Sequence, residues 1–281
     1  MAPRAVVFAY HDVGVRCLGA LLAAGVEVPL VVTHRDDPGE NLWFASVREF
    51  SSKRGLRTLL DPSVEEIEAE LRRIRPDFLF SFYYRRMLPP TVLALAQRGA
   101  YNMHGSLLPR YRGRAPVNWA ILKGEKETGA TLHEMVAKPD AGRIVDHQAV
   151  PIGPDETAVE VLRKVTEAAG VVLERSVKSL IDGTARLREQ DLSKGSYFGG
   201  RRPEDGRIDW SRSAKEIHDL VRAVAPPYPG AFHEDLRILR TQMTARASPG
   251  KALGPYREGG EWFAACGDGK VLRLLEVETK K

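Results

Sequence analysis

The sequence predicts an α/β fold, with a mostly parallel sheet in the first part of the chain and a small β-barrel in the last part. Two observations lead to this prediction. Apolar runs bounded by turn residues alternate with segments of helical spacing as far as residue 103, and short apolar runs separated by Gly and Pro fill the end of the chain. With 281 residues the chain is long enough for two domains, each with a core of its own.

Five short apolar runs predict the parallel strands of the sheet. They lack the alternation of a half-exposed strand, which is typical of strands covered on both faces. The four segments between them have apolar residues at helical spacing and predict helices on both faces of the sheet. The predicted strands are 5–10, 28–33, 56–60, 78–82 and 100–103, and the predicted helices are 17–25, 41–53, 64–74 and 91–96.

Gly14, Gly19 and Gly25 follow the first predicted strand, where a dinucleotide-binding turn would lie. Their spacing departs from the GxGxxG pattern that brings a backbone close to a pyrophosphate. The sequence therefore argues against a nicotinamide site at this position.

Two further strands joined by a turn are predicted in the middle of the chain. Residues 128–136 and 143–152 read as strands, and the turn-forming residues 138–142 connect them. This arrangement places Asp140 at the tip of a hairpin.

Helices are predicted on both sides of this hairpin, at 117–122 and 157–182. Pro116 stands at the start of the first helix, where its missing N–H costs little. Gly183 ends the second helix, because glycine readily adopts the left-handed conformation that stops a helix.

The periodicity breaks at residues 190–206, where several glycines and Pro203 interrupt it. This segment is predicted to link an N-terminal domain, 1–189, to a C-terminal barrel domain, 207–281. The second domain is expected to contain one helix, 213–223, and the strands 231–233, 237–245, 261–266 and 271–277.

The composition is that of an ordinary globular protein, with 43% hydrophobic and 28% charged residues. No apolar run is long enough to cross a membrane and no signal peptide is evident, so a cytoplasmic location is expected and a membrane partner is not. Cys17 and Cys266 fit free thiols in a reducing compartment. The net charge is +5, and charges of the same sign do not form long blocks. An anionic small molecule is therefore expected as partner, and nucleic acid is not. The sequence does not predict the oligomeric state.

Chemically useful side chains follow the last predicted parallel strand. Asn102 and His104 lie two residues apart, and side chains at that spacing on an extended chain point to the same side. A neutral imidazole removes a proton near physiological pH, and an amide N–H stabilises the oxygen that becomes negative when a carbonyl is attacked. Asp140 would fix the tautomer of His104 if the hairpin folds back onto the strand ends. The sequence therefore predicts acyl transfer, with Asn102, His104 and Asp140 as catalytic residues.

Other interpretations of these residues stay open on this reasoning. Ser106 lacks the strained elbow of a nucleophilic serine, which favours direct transfer from donor to acceptor. His104, His133 and Asp140 would form a minimal metal site, but the spacing of common zinc motifs is absent and no metal is expected. A His at a strand end and an Asn or Asp before a turn are also common structural residues.

The combination of motifs resembles the formyltransferase family that uses N10-formyltetrahydrofolate. The hallmark of that family is an Asn-x-His pair, a Ser-Leu-Leu-Pro-x-Tyr-Arg-Gly loop and a later Asp-x-Gly turn. This sequence has Asn102 and His104, the loop pattern at residues 106–113, and Asp140 followed by Gly142. The resemblance extends over nearly the whole chain.

The resemblance implies the formyltransferase fold, in which a Rossmann-like catalytic domain precedes a small open, OB-like barrel. It implies that His104 moves the proton, that Asn102 stabilises the oxyanion and that Asp140 raises the basicity of His104. It also implies N10-formyltetrahydrofolate as co-substrate, without a metal. The folate pocket implied by the family, largely through backbone groups, consists of Arg86, Met87, Leu88, Arg114, Val136, Ala137, Lys138, Pro139 and Asp140.

Within this family the sequence most resembles the formyltransferase domain of the bifunctional polymyxin-resistance enzyme. The resemblance implies formyl transfer to the amine of an amino-sugar nucleotide, UDP-4-amino-4-deoxy-L-arabinose, in lipid A modification and antibiotic resistance. The bifunctional enzyme continues into a decarboxylase, so this sequence is expected to be either a stand-alone enzyme or part of a longer one. The alternatives are a methionyl-tRNA formyltransferase, a formyltetrahydrofolate hydrolase and a non-catalytic folate- or nucleotide-binding protein.

Overall fold

The computed structural model describes residues 2–37, 39, 41–248, 250 and 252–279. Met1 and Lys281, the outer ends of the two predicted domains, lie outside these residues. The predicted domain boundaries at residues 189 and 207 stay a prediction. The chain forms two compact units, of which the first contains the segments up to Gly113, Gly129–Val150 and Lys164–Tyr197, and the second contains Arg114–Thr128, Pro151–Arg163 and the chain from Phe198 onward.

A seven-stranded sheet forms the framework of the first unit. The strands in this part of the chain are β1 (Arg4–Ala9), β2 (Glu27–Thr33), β3 (Thr58–Leu60), β4 (Phe78–Phe82), β5 (Gly99–His104), β6 (Arg112–Gly113), β7 (Glu127–Glu134) and β8 (Ile144–Pro151). The order in the sheet is β3-β2-β1-β4-β5-β7-β8. Strands β1 to β5 pair in parallel and β7 runs antiparallel to β5, which confirms the predicted mostly parallel sheet.

Helices alternate with these strands as the sequence predicted. They are α1 (His11–Ala23), α2 (Val47–Ser52), α3 (Val64–Ile74), α4 (Pro90–Leu93), α5 (Pro116–Leu122) and α6 (Ala158–Asp182). The predicted bounds of α3 are confirmed, because Ser63 and Glu66 form a reciprocal capping box and Arg75 ends the helix in a left-handed conformation. Gly183, at φ 71°, ends α6 as expected.

The core beneath α3 illustrates the apolar layer on one face of the sheet. Val6 and Phe8 on β1 share a buried cluster with Ile67 and Leu71 on α3. Each fully buried apolar side chain of this size contributes about 1.5–3 kcal/mol. Val6 and Phe8 lie two residues apart and therefore point to the same face of the sheet. Their burial fixes the register of β1 relative to its neighbouring strands.

The predicted bounds were wrong for α1 and α2, and α4 ends at Leu93 rather than at residue 96. Helix α1 begins at His11 rather than at residue 17, and its Gly14 lies so close to β1 that an added Cβ would meet the Cβ of Ala9 at 3.2 Å. This glycine therefore serves close packing of a helix on a strand. Helix α2 begins only at Val47, because Ser46 accepts a hydrogen bond from the Glu49 N–H and caps it there.

The second unit contains an open antiparallel sheet, in agreement with the predicted small barrel-like domain. Strands β6 and β9 (Tyr197–Phe198) form a separate two-stranded sheet, whose residues Arg112, Gly113 and Tyr197 belong to the first unit. The five-stranded sheet consists of β10 (Ala231–His233), β11 (Leu236–Ala247), β12 (Gly254–Glu258), β13 (Glu261–Ala265) and β14 (Lys270–Thr279) in the order β10-β11-β14-β13-β12. Strand β12 was not predicted, because its residues lack an apolar run.

Helix α7 (Ala214–Val224) covers this antiparallel sheet. Ser213 caps it through a capping box with Glu216. Its buried residues Ile217 and Val221 pack in one cluster with Ile238 of β11 and Leu272 of β14. The second unit therefore has a core of its own.

Cys17 and Cys266 are both buried and both free thiols. Neither pairs with the other, as expected from their separation in the sequence. Among the helices in the described segments, none combines the length and the apolar character that a membrane crossing requires.

Candidate active site

Asn102 and His104 lie at the carboxyl end of β5, in the middle of the sheet. Asn102 is opposite Ser81 of the parallel strand β4 and opposite His133 of the antiparallel strand β7. Asn102 is partly exposed, whereas His104 is buried. Open α/β sheets bind their ligands at the carboxyl ends of their parallel strands, so both side chains stand where a substrate is expected.

Both ring nitrogens of His104 face oxygen atoms. Nε2 lies 2.8 Å from the carbonyl oxygen of Tyr111. A carbonyl oxygen only accepts hydrogen bonds, so Nε2 carries a proton. Nδ1 lies 3.5 Å from Oδ1 of Asp140. The site can therefore accept hydrogen bonds from the doubly protonated ring that results when His104 takes up a proton.

Side-chain hydrogen bonds hold the loop after β5 in place. Ser106 donates its hydroxyl to the Arg110 carbonyl at 2.6 Å, and Thr131 donates to the Ser106 carbonyl at 2.6 Å. Tyr111, in a left-handed conformation at φ 58°, donates its peptide N–H to the hydroxyl of Ser196 at 2.8 Å. Ser106 therefore stabilises the loop that presents the Tyr111 carbonyl to His104.

Asp140 lies in the loop between β7 and β8, where its carboxylate faces both histidines. Oδ1 is 3.5 Å from Nδ1 of His104 and 3.5 Å from Nε2 of His133. Oδ2 accepts a hydrogen bond from the peptide N–H of Gly113 at 2.8 Å. The structure therefore brings Asp140, from a distant part of the sequence, next to the two residues on β5.

The surroundings of Asp140 keep it ionised. Burial by itself would raise the pKa of this carboxyl, but its interactions with the nearby His104 and His133 rings and with the Gly113 N–H outweigh that effect. The pKa of Asp140 is consequently held well below its usual range. The negative charge of Asp140 can therefore stabilise the imidazolium form of His104.

The Asp140 loop is held by a residue that the sequence had assigned to the linker. Gln190 donates its side-chain amide to the carbonyl of Asp140 at 3.1 Å and to that of Gly142 at 2.6 Å. Gly142 is required for close approach, because an added Cβ would lie 2.1 Å from the carbonyl oxygen of Glu134. These contacts give the Asp-x-Gly turn a physical basis.

His133 is nearly inaccessible to solvent and contacts Asn102. Its Nε2 lies 3.1 Å from Nδ2 of Asn102, and its Nδ1 lies 2.7 Å from the carbonyl oxygen of Glu134. The sequence suggests only a metal-ligand role for His133. No group of three or more His, Cys, Asp or Glu side chains within the described ranges is arranged to hold a metal ion.

Three of the predicted folate-binding residues line a cavity of about 250 Å³ in the first unit. Arg86, Met87 and Leu88 follow β4 and face the start of α3 across this cavity. The guanidinium of Arg86 lies 3.1 Å from the carboxylate of Asp61. Met87 is 60% exposed, whereas Leu88 is buried.

The sequence reasoning missed the group that holds this segment. His34 accepts the peptide N–H of Arg85 at 3.1 Å, and its other ring nitrogen lies 2.8 Å from Asp61. Burial lowers the pKa of His34, so its neutral form is favoured. The ring also stacks on Tyr84 at 4.3 Å. A lone His and a lone Asp far apart in sequence gave no signal of this arrangement.

The remaining predicted folate residues lie in two places. Val136, Ala137 and Lys138 are exposed and, with the partly exposed Pro139, lead directly into Asp140. Arg114 is exposed and belongs to the second unit, where its peptide N–H donates to the Phe198 carbonyl at 2.9 Å. The structure thus brings Asn102, His104 and Asp140 into one cluster. The cavity beside Arg86, Met87 and Leu88 is lined by none of these catalytic candidates.

Comparison with known proteins identifies relatives over nearly the whole chain. The family model described as formyl transferase matches residues 20–177. The model described as formyl transferase, C-terminal domain, matches residues 201–281. Together these matches include residues of both units of the structure.

Solved structures of N-formyltransferases have a similar fold. An N-formyltransferase from Helicobacter canadensis, in complex with folinic acid and dTDP-3-aminofucose, is 21% identical, with a TM-score of 0.77 and coverage of 98% of this chain and 99% of that one. A sugar 3N-formyl transferase with dTDP and 5-N-formyl-THF is 18% identical, with a TM-score of 0.77 and 98% coverage of both chains. A 4-N formyltransferase from Francisella tularensis is 18% identical, with a TM-score of 0.65 and coverage of 80% of this chain and 90% of that one. At these identities the likeness shows a shared fold.

Proposed function

Because the chain belongs to the formyl transferase family, we propose that it transfers the formyl group of N10-formyltetrahydrofolate to the amine of a nucleotide-linked amino sugar. The observation that carries this proposal is the cluster of Asn102, His104 and Asp140 at the carboxyl edge of the sheet. Two structures of similar fold contain a folate together with dTDP or a dTDP-sugar, which supports an amino-sugar nucleotide as acceptor. Within that class, the sequence resemblance favours UDP-4-amino-4-deoxy-L-arabinose, and with it a role in lipid A modification.

The proposed reaction is a direct transfer. The uncharged amine of the acceptor attacks the formyl carbon, a C–N bond forms, and the formyl oxygen becomes negatively charged. The side-chain N–H of Asn102 donates a hydrogen bond to this oxygen. The intermediate then collapses with cleavage of the bond to N10 of the folate, which yields the formamide of the sugar and tetrahydrofolate.

His104 moves the proton in this scheme. It accepts the proton that the attacking nitrogen must lose and passes it to N10 of the departing tetrahydrofolate. During that interval both ring nitrogens are protonated, and the Tyr111 carbonyl and the Asp140 carboxylate face them. The ionised Asp140 offsets the charge that the ring acquires.

We place the folate against Arg86, Met87 and Leu88, with residues 136–140 and Arg114 as further contacts. The cavity beside Arg86 offers mostly apolar walls with one guanidinium, which suits a flat, partly apolar molecule with polar edges. Holding donor and acceptor together supplies a large part of the rate enhancement, since a bound pair reacts as a single molecule.

To test this proposal, the protein is incubated with N10-formyltetrahydrofolate and one acceptor at a time. The acceptors are UDP-, dTDP- and GDP-linked amino sugars and charged methionyl-tRNA, and one reaction contains no acceptor. Product formation is followed by mass spectrometry and tetrahydrofolate release by absorbance. We expect formylation of UDP-4-amino-4-deoxy-L-arabinose and little release without an amine. Equal release without any acceptor would instead identify a hydrolase, and formylation of methionyl-tRNA alone would overturn the sugar assignment.

Two variants connect the activity to the cluster. Asn102→Ala and His104→Ala are each expected to lower kcat by a factor of about 10² or more, because each removes a group that acts on the transition state. Circular dichroism and the thermal midpoint serve as controls for folding. Full turnover in either variant contradicts the proposed mechanism.

A further inference from the structure

His133 contacts two of the three proposed catalytic residues, although the proposed reaction assigns it no step. It stands opposite Asn102 in the antiparallel pairing of β5 with β7, and 1% of its surface is exposed. Its ring nitrogens have three polar neighbours: the Glu134 carbonyl, the Asn102 side-chain amide and the Asp140 carboxylate. The identity of these neighbours determines where the ring carries its proton.

The Glu134 carbonyl fixes the tautomer of His133. Nδ1 lies 2.7 Å from that oxygen, and a carbonyl oxygen can only accept. Nδ1 therefore carries the proton. In the neutral ring this leaves Nε2 with a lone pair, so Nε2 acts as an acceptor.

The tautomer of His133 in turn determines which end of the Asn102 amide faces it. An acceptor at Nε2 requires a donor, and the atom at 3.1 Å is the amide nitrogen of Asn102. Without such a partner, the side-chain amide of an Asn can rotate so that its oxygen and nitrogen exchange positions. The amide nitrogen has two hydrogens, so one can bind His133 while the other stays available to substrate.

We propose that His133 is a positioning residue that holds the donor end of Asn102 towards the formyl oxygen. The inference rests on the proposed function, in which Asn102 stabilises the oxyanion. The reversed amide would bring an oxygen atom close to the negative charge and repel it. Loss of one oxyanion donor costs about 10²–10³-fold in kcat in enzymes of this type of chemistry.

Charged groups on several neighbouring segments lie close to the His133 ring. Asp140 faces Nε2 from the loop after β7, and the ring of His104 on β5 lies 6.5 Å away between centroids. Asp140 is engaged by the Gly113 N–H and by the ring of His104. On the strand of His133 itself, the Glu134 carboxylate is paired with Arg143.

Two substitutions separate the contacts of His133. His133→Asn keeps a group at the position of Nδ1 that can donate to the Glu134 carbonyl, but it has no atom at the position of Nε2. His133→Gln places an amide oxygen near the position of Nε2 and loses the contact with Glu134. We expect His133→Asn to lower kcat by about 10- to 100-fold with KM values within about twofold of wild type, and His133→Gln to retain kcat within about fivefold.

A double-mutant cycle tests whether His133 acts through Asn102. In the Asn102→Ala background, His133→Asn is expected to cause no further loss of kcat, because the group it positions is already gone. An additional loss of the same size in that background would overturn the proposal. So would equal kcat values for His133→Asn and wild type, or a greater loss in His133→Gln than in His133→Asn.

A measurement independent of activity distinguishes this inference from the proposed function. Nitrogen-15 NMR of the wild-type protein labelled at histidine is expected to show His133 with its proton on Nδ1 and an unprotonated Nε2, assigned by comparison with His133→Gln. A spectrum with the proton on Nε2 overturns the inference even if sugar formylation is observed. Absence of amine-dependent turnover together with the expected spectrum would instead reject the proposed function and leave the Asn102 contact established.

Discussion

Nδ1 of His104, at the end of β5, lies 3.5 Å from Oδ1 of Asp140, in the loop that follows β7. The second oxygen of the same carboxylate accepts a hydrogen bond from the peptide N–H of Gly113, in the short strand β6. The carboxylate therefore connects the end of β5 to the turn after β7. This connection makes the charge of Asp140 a determinant of both the site and the local fold.

Substitution of Asp140 by Asn is expected to destabilise the protein at neutral pH and less so in acid. The pKa of Asp140 is lowered in the folded state, whereas an unfolded Asp has a pKa of about 3.9. Ionisation therefore stabilises the fold fully above about pH 4, and this contribution is lost as the pH falls towards the folded-state pKa. The difference in unfolding free energy between wild type and Asp140→Asn, measured by urea denaturation, should be larger at pH 7 than at pH 3.

The matched control for this measurement is Asp235→Asn, in an exposed turn of the second unit. We expect its unfolding free energy to differ from that of wild type by less than about 0.5 kcal/mol at both pH values. An Asp140→Asn difference that is the same at pH 7 and pH 3 would show that the contacts of Asp140 depend on its shape rather than its charge.

Gly142→Ala is expected to displace the loop that holds Asp140. The added Cβ would lie 2.1 Å from the Glu134 carbonyl oxygen, so the backbone must move. We expect a loss of about 1–3 kcal/mol in unfolding free energy, as for other overpacked sites, together with a lower kcat. Gly199→Ala is the control, since nothing lies within 4 Å of a Cβ at that position. Equal effects of the two substitutions on kcat would contradict the role given to the turn.

The sequence predicts elements well where local signals agree. Helix α3 has a capping box at Ser63, apolar residues at helical spacing and a stop at Arg75, and the predicted bounds match the structure. Strand β4 is a run of apolar residues without polar alternation, and it was also predicted from end to end. In both cases the residues that decide the structure lie within the element or directly next to it in the sequence.

Contacts between distant segments were predicted only in part. Asp140 was expected beside His104 because the Asp-x-Gly turn and the Asn-x-His pair are both recognisable in the sequence. The contact of Asn102 with His133 depends on the antiparallel register of β5 and β7, which no local pattern specifies. Gln190 was assigned to a linker because the glycines that follow it break the periodicity. Its two hydrogen bonds to the Asp140 turn have no signal in the sequence.

Neither thiol is expected to react in the native protein. Burial raises the pKa of both Cys17 and Cys266, in the latter case to about 11, and both side chains are shielded from solvent. Since the thiolate is the reactive form, modification requires local or global opening. Iodoacetamide at pH 8, followed by mass spectrometry, should leave the folded protein unlabelled for hours and label both residues in urea. Rapid labelling of either thiol in the native protein would show that its surroundings open readily.

Met87→Ala tests where the folate binds. Met87 is 60% exposed and lines the cavity beside Arg86, so its removal should leave the thermal midpoint unchanged, unlike removal of the buried Leu88. Burial of a Met side chain by a ligand contributes up to about 1.5–3 kcal/mol, and partial burial less. We therefore expect the KM for N10-formyltetrahydrofolate to rise about 3- to 10-fold, with kcat and the KM of the acceptor unchanged.

The control for Met87 is Leu275→Ala, at another exposed apolar position, on β14, with 44% exposure. It should leave both KM values unchanged, because no folate contact is proposed there. An unchanged donor KM in Met87→Ala would move the folate away from the cavity beside Arg86. A rise in the acceptor KM instead would assign that cavity to the sugar nucleotide, since a wall that contacts only the donor has no effect on binding of the acceptor.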